Sequence, residues 1–228
     1  MLYSKLTGQS VPAEYLQLYN QIYRDKALSL DTFDLKDSSG PLLSKYNLLI
    51  FTKAQTVSPT ELTDIVNYVL AGGKVIITGN SLSQVELTQR DIDELLTKNK
   101  TLGGSYEKAM TQIMHMLAFG DLGKLGHFSY IGETNKTTDF VIADDTFPPL
   151  RGFQNTISGL TSYVRVNYGV GANVPAFLSS GGEDRDPAII ESKVGNSRIM
   201  YVAFPLENFP SPILALNLID YYTPCSFK

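Results

Sequence analysis

Residues 46–79, YNLLIFTKAQTVSPTELTDIVNYVLAGGKVIITG, determine the expected fold more than any other stretch of the chain. Two short apolar runs, 47–52 and 74–79, are typical of strands that are covered on both faces. Between them, SPTEL at 58–62 combines a capping box with a proline start, and the glycines at 72–73 supply a helix stop. This order predicts a right-handed β-α-β unit whose strands are parallel, neighbouring and almost wholly buried.

The rest of the pattern predicts further helices and, from about residue 119, a strand-rich half. Apolar residues at helical spacing predict helices over 11–25, 88–98, 105–117 and 212–222. The run AIIESKVGNSRIMYVAF at 188–204 predicts a hairpin with a tight Gly-Asn turn, attached at or near one edge of the sheet. We therefore expect an α/β fold with a doubly wound, mainly parallel central sheet and a β-hairpin at one edge.

Composition restricts the class of protein before any site is considered. The chain has 228 residues, of which 43% are hydrophobic and 18% charged, a balance typical of one globular domain. Its formal net charge is −4 and its cations are scattered, so we expect no nucleic-acid partner. The apolar runs are far shorter than the roughly 20 residues of a membrane helix, so we expect no membrane contact. The localisation stays open, because a removed leader or an upstream domain could precede MLYSKL.

The order of these elements resembles a known superfamily. The 45–79 stretch, taken with IIESKVGNSRIMYVAFPLENF and a final helix, resembles the class I glutamine amidotransferase-like superfamily. Within it, the chain looks most like non-catalytic branches, the β-galactosidase trimerisation domain and the trehalose-utilisation-protein-like domains. The resemblance implies one flavodoxin-like, amidotransferase-like α/β domain over residues 1–228, with an insertion unlike the family at about 86–160.

Two of the three catalytic residues of that superfamily are missing where the resemblance places them, and the third, the glutamate, has its counterpart in Glu207. Amidotransferases carry a cysteine on a G-x-C-x-G turn after the second strand, and this chain has GNSLS at 79–83. The family's histidine lies in an F-H-P-E-like stretch, and this chain has FPLE at 204–207. Serine needs a general base to act as a nucleophile, and neither His115 nor His127 lies at the end of a predicted parallel strand. The resemblance therefore implies a degenerate domain that binds or assembles, accessory to a carbohydrate-active protein.

Ligand sites of open α/β sheets lie at the carboxyl ends of the strands, where loops converge. We therefore predict that a ligand, an unidentified small molecule or protein, contacts residues after the predicted strands: Lys53, Asn80, Ser81, Glu207 and Asn208. The glycine pairs lack the spacing of a phosphate loop, and the single cysteine, Cys225, excludes a cysteine-rich metal site. We expect no bound cofactor and no metal.

Acidic residues in the second half support an alternative function. Asp144 and Asp145 follow an apolar strand, and Glu183 lies in GGEDRDP at 181–187. With Glu207, these side chains are candidates for a sugar-directed hydrolase that uses a carboxylate or metal-assisted mechanism. The competing interpretation is that acidic residues beside Gly and Pro are solvated turns.

Tyrosines on two predicted helices leave self-association open. The first helix carries Tyr15, Tyr19 and Tyr23, and the last helix ends in LIDYYTP. Tyrosine is enriched in interface cores, so these helices predict a homo-oligomer. The alternative is that the rings pack against neighbouring parts of the same chain.

Overall fold

The structure, a computed structural model, describes residues 2–3, 32–33, 43–52, 54–98, 106–181 and 185–223. The predicted first helix at 11–25 and Cys225 lie outside the described residues. Within them the strands are β1 Leu2–Tyr3, β2 Thr32–Phe33, β3 Leu48–Phe51, β4 Thr56–Val57, β5 Lys74–Thr78, β6 Gln84–Val85, β7 Phe128–Thr134, β8 Thr138–Ile142, β9 Thr156–Leu160, β10 Tyr163–Tyr168, β11 Ala172–Ser179, β12 Arg185–Val194 and β13 Ser197–Val202. The helices are α1 Pro59–Leu70, α2 Gln89–Lys98, α3 Tyr106–Leu117, α4 Gly120–Leu125 and α5 Ile213–Tyr222.

The predicted β-α-β unit is confirmed. Strands β3 and β5 are parallel neighbours, and their side chains are buried except for the partly exposed Lys74. At the start of α1, the Ser58 hydroxyl accepts from the Glu61 amide at 3.2 Å, and the Glu61 carboxylate accepts from the Ser58 amide at 2.7 Å. This reciprocal capping box satisfies two amides that the helix itself cannot pair.

The prediction of a doubly wound, mainly parallel sheet of flavodoxin-like type is wrong. The main sheet has the order β2-β1-β3-β5-β13-β12-β11-β8-β9 and curls strongly into a half-barrel. Of the pairings among its seven longer strands, β3-β5 and β5-β13 are parallel, and the four from β13 to β9 are antiparallel. The two-residue strands β1 and β2 extend the parallel end. The sheet is therefore mixed: strands β8, β9, β11, β12 and β13 of the second half extend it, whereas β7 and β10 pair antiparallel in a separate two-stranded sheet.

The predicted hairpin forms, but its predicted place at an edge of the sheet is wrong. Strands β12 and β13 are antiparallel partners around Gly195 and Asn196. However, β13 also pairs with β5, and β12 also pairs with β11, so the hairpin lies in the middle of the sheet. The physical reason is burial: Ala188 to Ser192 and Ile199 to Phe204 are buried without interruption, which requires cover on both faces.

Helices cover both faces of the sheet, as neighbouring residues of β12 demonstrate. Successive strand residues point to opposite faces. The Glu191 carboxylate reaches the hydroxyls of Tyr221 and Tyr222 on α5, whereas the Ser192 hydroxyl donates to the Gly126 carbonyl at the end of α4 at 2.6 Å. Helix α4 also contacts α1, which packs on β13. None of the described helices is long and apolar enough to cross a bilayer.

Cations from the sheet surround the carboxyl end of α5. The register aligns Lys193 of β12, Arg198 of β13 and Lys74 of β5 in one row across adjacent strands. The Lys74 ammonium donates to the Tyr222 carbonyl at 2.6 Å, and Arg198 donates to the Tyr221 hydroxyl. The last carbonyls of a helix carry partial negative charge, and the last turn of α5 has no basic residue of its own. The sheet therefore supplies the charges that the helix end needs.

We expect Lys74→Met to lower the free energy of unfolding by about 1–2 kcal/mol, because the Tyr222 carbonyl loses a charged donor in a partly buried position. Urea denaturation measures the change. Lys124→Met is the matched control: it removes an exposed ammonium paired with Asp121 at 2.7 Å and should cost under about 0.5 kcal/mol. Equal losses in the two variants would contradict the role of Lys74.

Candidate functional site

The carboxyl ends of β3, β5 and β13 lie side by side, as expected for neighbouring parallel strands. Thr52 follows β3, and its hydroxyl donates to the Glu207 carboxylate at 2.8 Å. Glu207 lies in the short 3-10 turn Leu206–Asn208 that follows β13. One predicted site residue is thus anchored across the sheet, at the strand ends where the prediction placed it.

The turn after β5 is closed by internal hydrogen bonds. The Gly79 amide donates to Val202 at 2.9 Å, and the fully buried Tyr201 hydroxyl donates to the Gly79 carbonyl at 3.0 Å. Gly79 has φ +55°, and a Cβ there would lie 3.2 Å from Pro205. Both the left-handed backbone and the tight contact favour glycine at this position.

The candidate nucleophile Ser81 is part of the core. Its side chain is 0% exposed, and its hydroxyl accepts from the Ala54 amide at 3.3 Å. The strained position of the turn belongs to the next residue, Leu82, which has φ +60° and is also 0% exposed. A nucleophile elbow places its reactive side chain on such a turn and exposes it to substrate. Here the turn carries an apolar side chain into the core.

The two histidines serve other parts of the molecule. The His115 ring packs edge-on against Tyr130 with centroids 4.9 Å apart. His127 is exposed in the turn between α4 and β7, beside Gly171. Within the described part of the chain, neither histidine forms a hydrogen bond to Ser81. A Ser-His pair, which needs that bond, is not assembled here.

Asn80 joins a polar patch that the sequence did not predict. Its side-chain amide donates to the Glu133 carboxylate of β7 at 3.2 Å. Burial and the Glu133 charge raise the pKa of Tyr130, and burial first, then Tyr130 and Glu133, raises the pKa of Tyr201 well above its usual value. Both phenols are therefore held neutral and act as hydrogen-bonding groups rather than as bases.

Two predicted ligand contacts remain, Asn208 and Lys53. Asn208 is exposed, and its backbone amide donates to Pro205 at 2.9 Å. Lys53 lies outside the described residues. Because Ser81 is buried, the residues left to meet a ligand at these strand ends are Asn80, Glu207 and Asn208.

The acidic residues of the alternative function that the structure describes differ in their surroundings. The Asp144 carboxylate accepts from the Thr146 amide and hydroxyl at 3.0 and 2.6 Å, and these bonds lower the pKa of Asp144. Asp145 is exposed, and Glu183 lies outside the described residues. Among the residues that the structure describes, no three His, Cys, Asp or Glu side chains are grouped to hold a metal ion.

One cavity opens at the amino ends of the parallel strands β3 and β5, opposite to the predicted site, and a smaller one lies beside the antiparallel strands β11 and β12. The larger, about 800 Å³, is lined by residues that include Asp64, Tyr68, Lys74 and Thr223. Burial raises the pKa of Tyr68 to about 12, and the Tyr68 hydroxyl donates to the Tyr46 carbonyl at 3.0 Å. Leu43 and Thr223, which line this cavity, are each next in sequence to residues that are not described.

The smaller cavity, about 380 Å³, contains a polar network that sequence reasoning missed. Glu191, 5% exposed, accepts from Arg198 at 2.8 Å, and the Tyr221 and Tyr222 hydroxyls lie 3.5 Å from its oxygens. The tyrosines of the last helix therefore pack within their own chain, as the alternative to an interface predicted. An acid in the otherwise apolar run AIIES was the available signal, because buried carboxylates require partners.

Comparison with solved structures supports the superfamily inferred from the sequence at the level of fold. The β-galactosidase from Bacillus circulans sp. alkalophilus matches with TM-score 0.63 and 17% identity, over 95% of this chain and 27% of that chain. Proteins described as ThuA-like match with TM-scores of 0.63 (Bacteroides uniformis; 11% identity, 97% and 89% of the two chains) and 0.58 (Parabacteroides merdae; 13% identity, 98% and 88%).

The chain thus spans about a quarter of the length of the β-galactosidase and most of the length of the ThuA-like proteins. No protein-family model and no curated protein matches the sequence. At these identities the comparisons establish the fold alone.

Ser81→Ala should lower the free energy of unfolding by about 1–3 kcal/mol, because the buried Ala54 amide loses its acceptor. Chemical denaturation provides the measurement. The control is Ser83→Ala, which removes a neighbouring buried hydroxyl that has no hydrogen bond in the described structure and should cost under about 1 kcal/mol. A Ser81 variant as stable as the Ser83 variant would show that the hydroxyl is not structural.

Proposed function

We propose that this protein is a non-catalytic, amidotransferase-like module that binds a ligand or assembles with a partner as an accessory to a carbohydrate-active protein. The observation that carries the proposal is the turn after β5, where Ser81 is buried and the strained position is held by Leu82. An acyl-transfer enzyme needs an exposed nucleophile next to a base at this place. We propose that this chain keeps the amidotransferase-like fold but does not catalyse acyl transfer.

The fold comparisons support the accessory role. A domain that matches about a quarter of a β-galactosidase also matches nearly whole ThuA-like proteins, so the unit occurs both within longer enzymes and alone. We propose that the present chain, as one domain, serves the same kind of larger carbohydrate-directed system. In this proposal the chain binds its ligand and does not cleave it.

The proposal predicts that the purified protein releases no product from glutamine, nitrophenyl esters or nitrophenyl β-galactosides above the rate without protein. Product formation measured by absorbance, and by ammonia release for glutamine, checks this. Turnover that disappears in Ser81→Ala would overturn the proposal. Turnover that disappears in Asp144→Asn or Glu207→Gln, with Glu94→Gln on the exposed face of α2 as control, would establish the hydrolase instead.

We assign the strand-end residues Asn80, Glu207 and Asn208 to contact with a protein partner, the first candidate being a second copy of this chain. Neither of the two cavities described above is lined by these residues, and polar side chains of this kind are common at the rims of protein interfaces. Asn208 is exposed, and the half-buried Asn80 amide has a second N–H beside the one that it donates to Glu133, so both side chains can donate at this surface.

We expect light scattering at micromolar concentration to give a mass above that of the monomer. The double variant Asn80→Ala with Asn208→Ala should weaken self-association at least tenfold, because a specific interface of roughly 1,000 Å² or more loses two central donors. Asn135→Ala, on an exposed loop, is the control. A monomer mass that stays unchanged on tenfold concentration would contradict self-association through this surface.

A further inference from the structure

The smaller cavity combines charged, amide and aromatic groups in one concave site. Its volume of about 380 Å³ lies at the lower end of the range for small-molecule pockets. Its lining comes from three parts of the fold: strands β11 and β12, the turn after β8, and the end of α5. Elements distant in sequence thus converge on one small space.

The strand register explains why polar groups converge here. Asn173 of β11 lies directly opposite Glu191 of β12, so both side chains point to the same face. Lys193, two residues along the strand, lies on that face as well. The register of β11 shifts just beyond Asn173, and such an irregularity bends a strand locally.

The floor of the cavity is a buried carboxylate that is held in place but not saturated. Glu191 receives one charge-assisted bond from Arg198 at 2.8 Å, while the Tyr221 and Tyr222 hydroxyls stand at the 3.5 Å limit of hydrogen bonding. An ionised carboxylate accepts about four hydrogen bonds. Glu191 therefore keeps acceptor capacity for a hydroxyl group placed in the cavity.

The aromatic wall of the cavity, formed by Phe147 and Tyr221, is held by contacts within the protein. The rings of Phe147 and Tyr221 meet edge to face with centroids 5.4 Å apart, and the Arg198 guanidinium lies 5.0 Å from the Tyr221 ring centroid. The turn that carries Phe147 is held by the Asp144 carbonyl, which accepts the Phe147 amide at 3.3 Å. A fixed apolar surface beside polar groups suits a ligand that has an apolar face and a hydroxyl-bearing edge.

The rim supplies groups that are not used inside the protein. Asn173 and Lys193 are exposed, and within the described part of the chain their side chains have no hydrogen-bond partner. The amide both donates and accepts, and the ammonium donates. Together with the acceptors Glu191 and Asp144, these groups give the cavity both donors and acceptors. Vicinal hydroxyls of a ligand both donate and accept, so they can bond to both kinds of group.

We propose that this cavity binds a neutral saccharide of one or two rings. The carboxylate of Glu191 accepts from ring hydroxyls, Asn173 and Lys193 hold further hydroxyls, and Tyr221 with Phe147 forms the apolar wall. The choice of a saccharide among hydroxyl-rich ligands rests on the proposed function, whereas the site itself rests on the cavity. A zwitterion, such as a free amino acid, is the chemistry that competes for the same mixture of charges.

Calorimetric titration of the whole protein with galactose, lactose, glucose and maltose tests the proposal, with glycine and glutamine as the zwitterions. We expect saturable binding of at least one sugar at millimolar or lower concentration. Asn173→Ala combined with Lys193→Ala should weaken it at least tenfold, and an unchanged melting temperature should confirm that folding is intact. Asn135→Ala combined with Lys136→Ala removes the same groups from an exposed loop and should leave binding unchanged.

Glu191→Gln gives a second readout, because it keeps the shape of the floor while removing its charge and should also weaken sugar binding. The proposal is overturned if none of the four sugars saturates, if zwitterions bind in their place, or if the Asn173/Lys193 variant binds as well as the Asn135/Lys136 variant. A different result would contradict the proposed function: cleavage of lactose or maltose, detected as released monosaccharide, at any site of the protein.

Discussion

The position of β13 is the constraint on which the rest of the structure depends. This strand pairs in parallel with β5 and antiparallel with β12, so it joins the β-α-β unit to the strand-rich half. Residues 199–204 are buried without interruption, and both faces must therefore be covered: α1 packs on this strand, and Arg198 near its start reaches Tyr221 of α5. The second residue of β13, Arg198, donates to Glu191 in the smaller cavity. The turn that follows β13 places the Glu207 carboxylate within hydrogen-bonding distance of the Thr52 hydroxyl.

The two ends of the parallel strands consequently differ in chemistry. At the carboxyl end, polar groups of the turn after β5 form hydrogen bonds within the protein: the Ser81 hydroxyl accepts from the Ala54 amide, and the Gly79 carbonyl accepts from the Tyr201 hydroxyl. At the amino end, the carboxyl end of α5 attracts Lys74 and Arg198, and that arrangement leaves concave polar space beside the helix.

Local signals were reliable where local physics decides. The capping box at Ser58 and the glycine at 72, which has φ +101°, define α1 through hydrogen bonds and backbone sterics within a few residues. The absence of the family's cysteine from 79–83 and of its histidine from 204–207 could also be predicted, because it depends on residue identity alone. The burial of Ser81 could not be predicted, since it depends on Ala54, which comes from a different segment. The row of Lys193, Arg198 and Lys74 likewise exists only through strand register.

The sequence by itself determined the β-α-β unit, the hairpin and the absence of a cysteine from the turn at 79–83, because each follows from residues that are neighbours along the chain or from their identity. Tertiary structure alone decided that the hairpin is central, that the sheet is mixed and curled, and that Glu191 and Asn173 face one cavity. Periodicity reports which face of a strand is buried but not which strand pairs with it. Strand order follows from the combined burial of all segments, and no single stretch of sequence contains it.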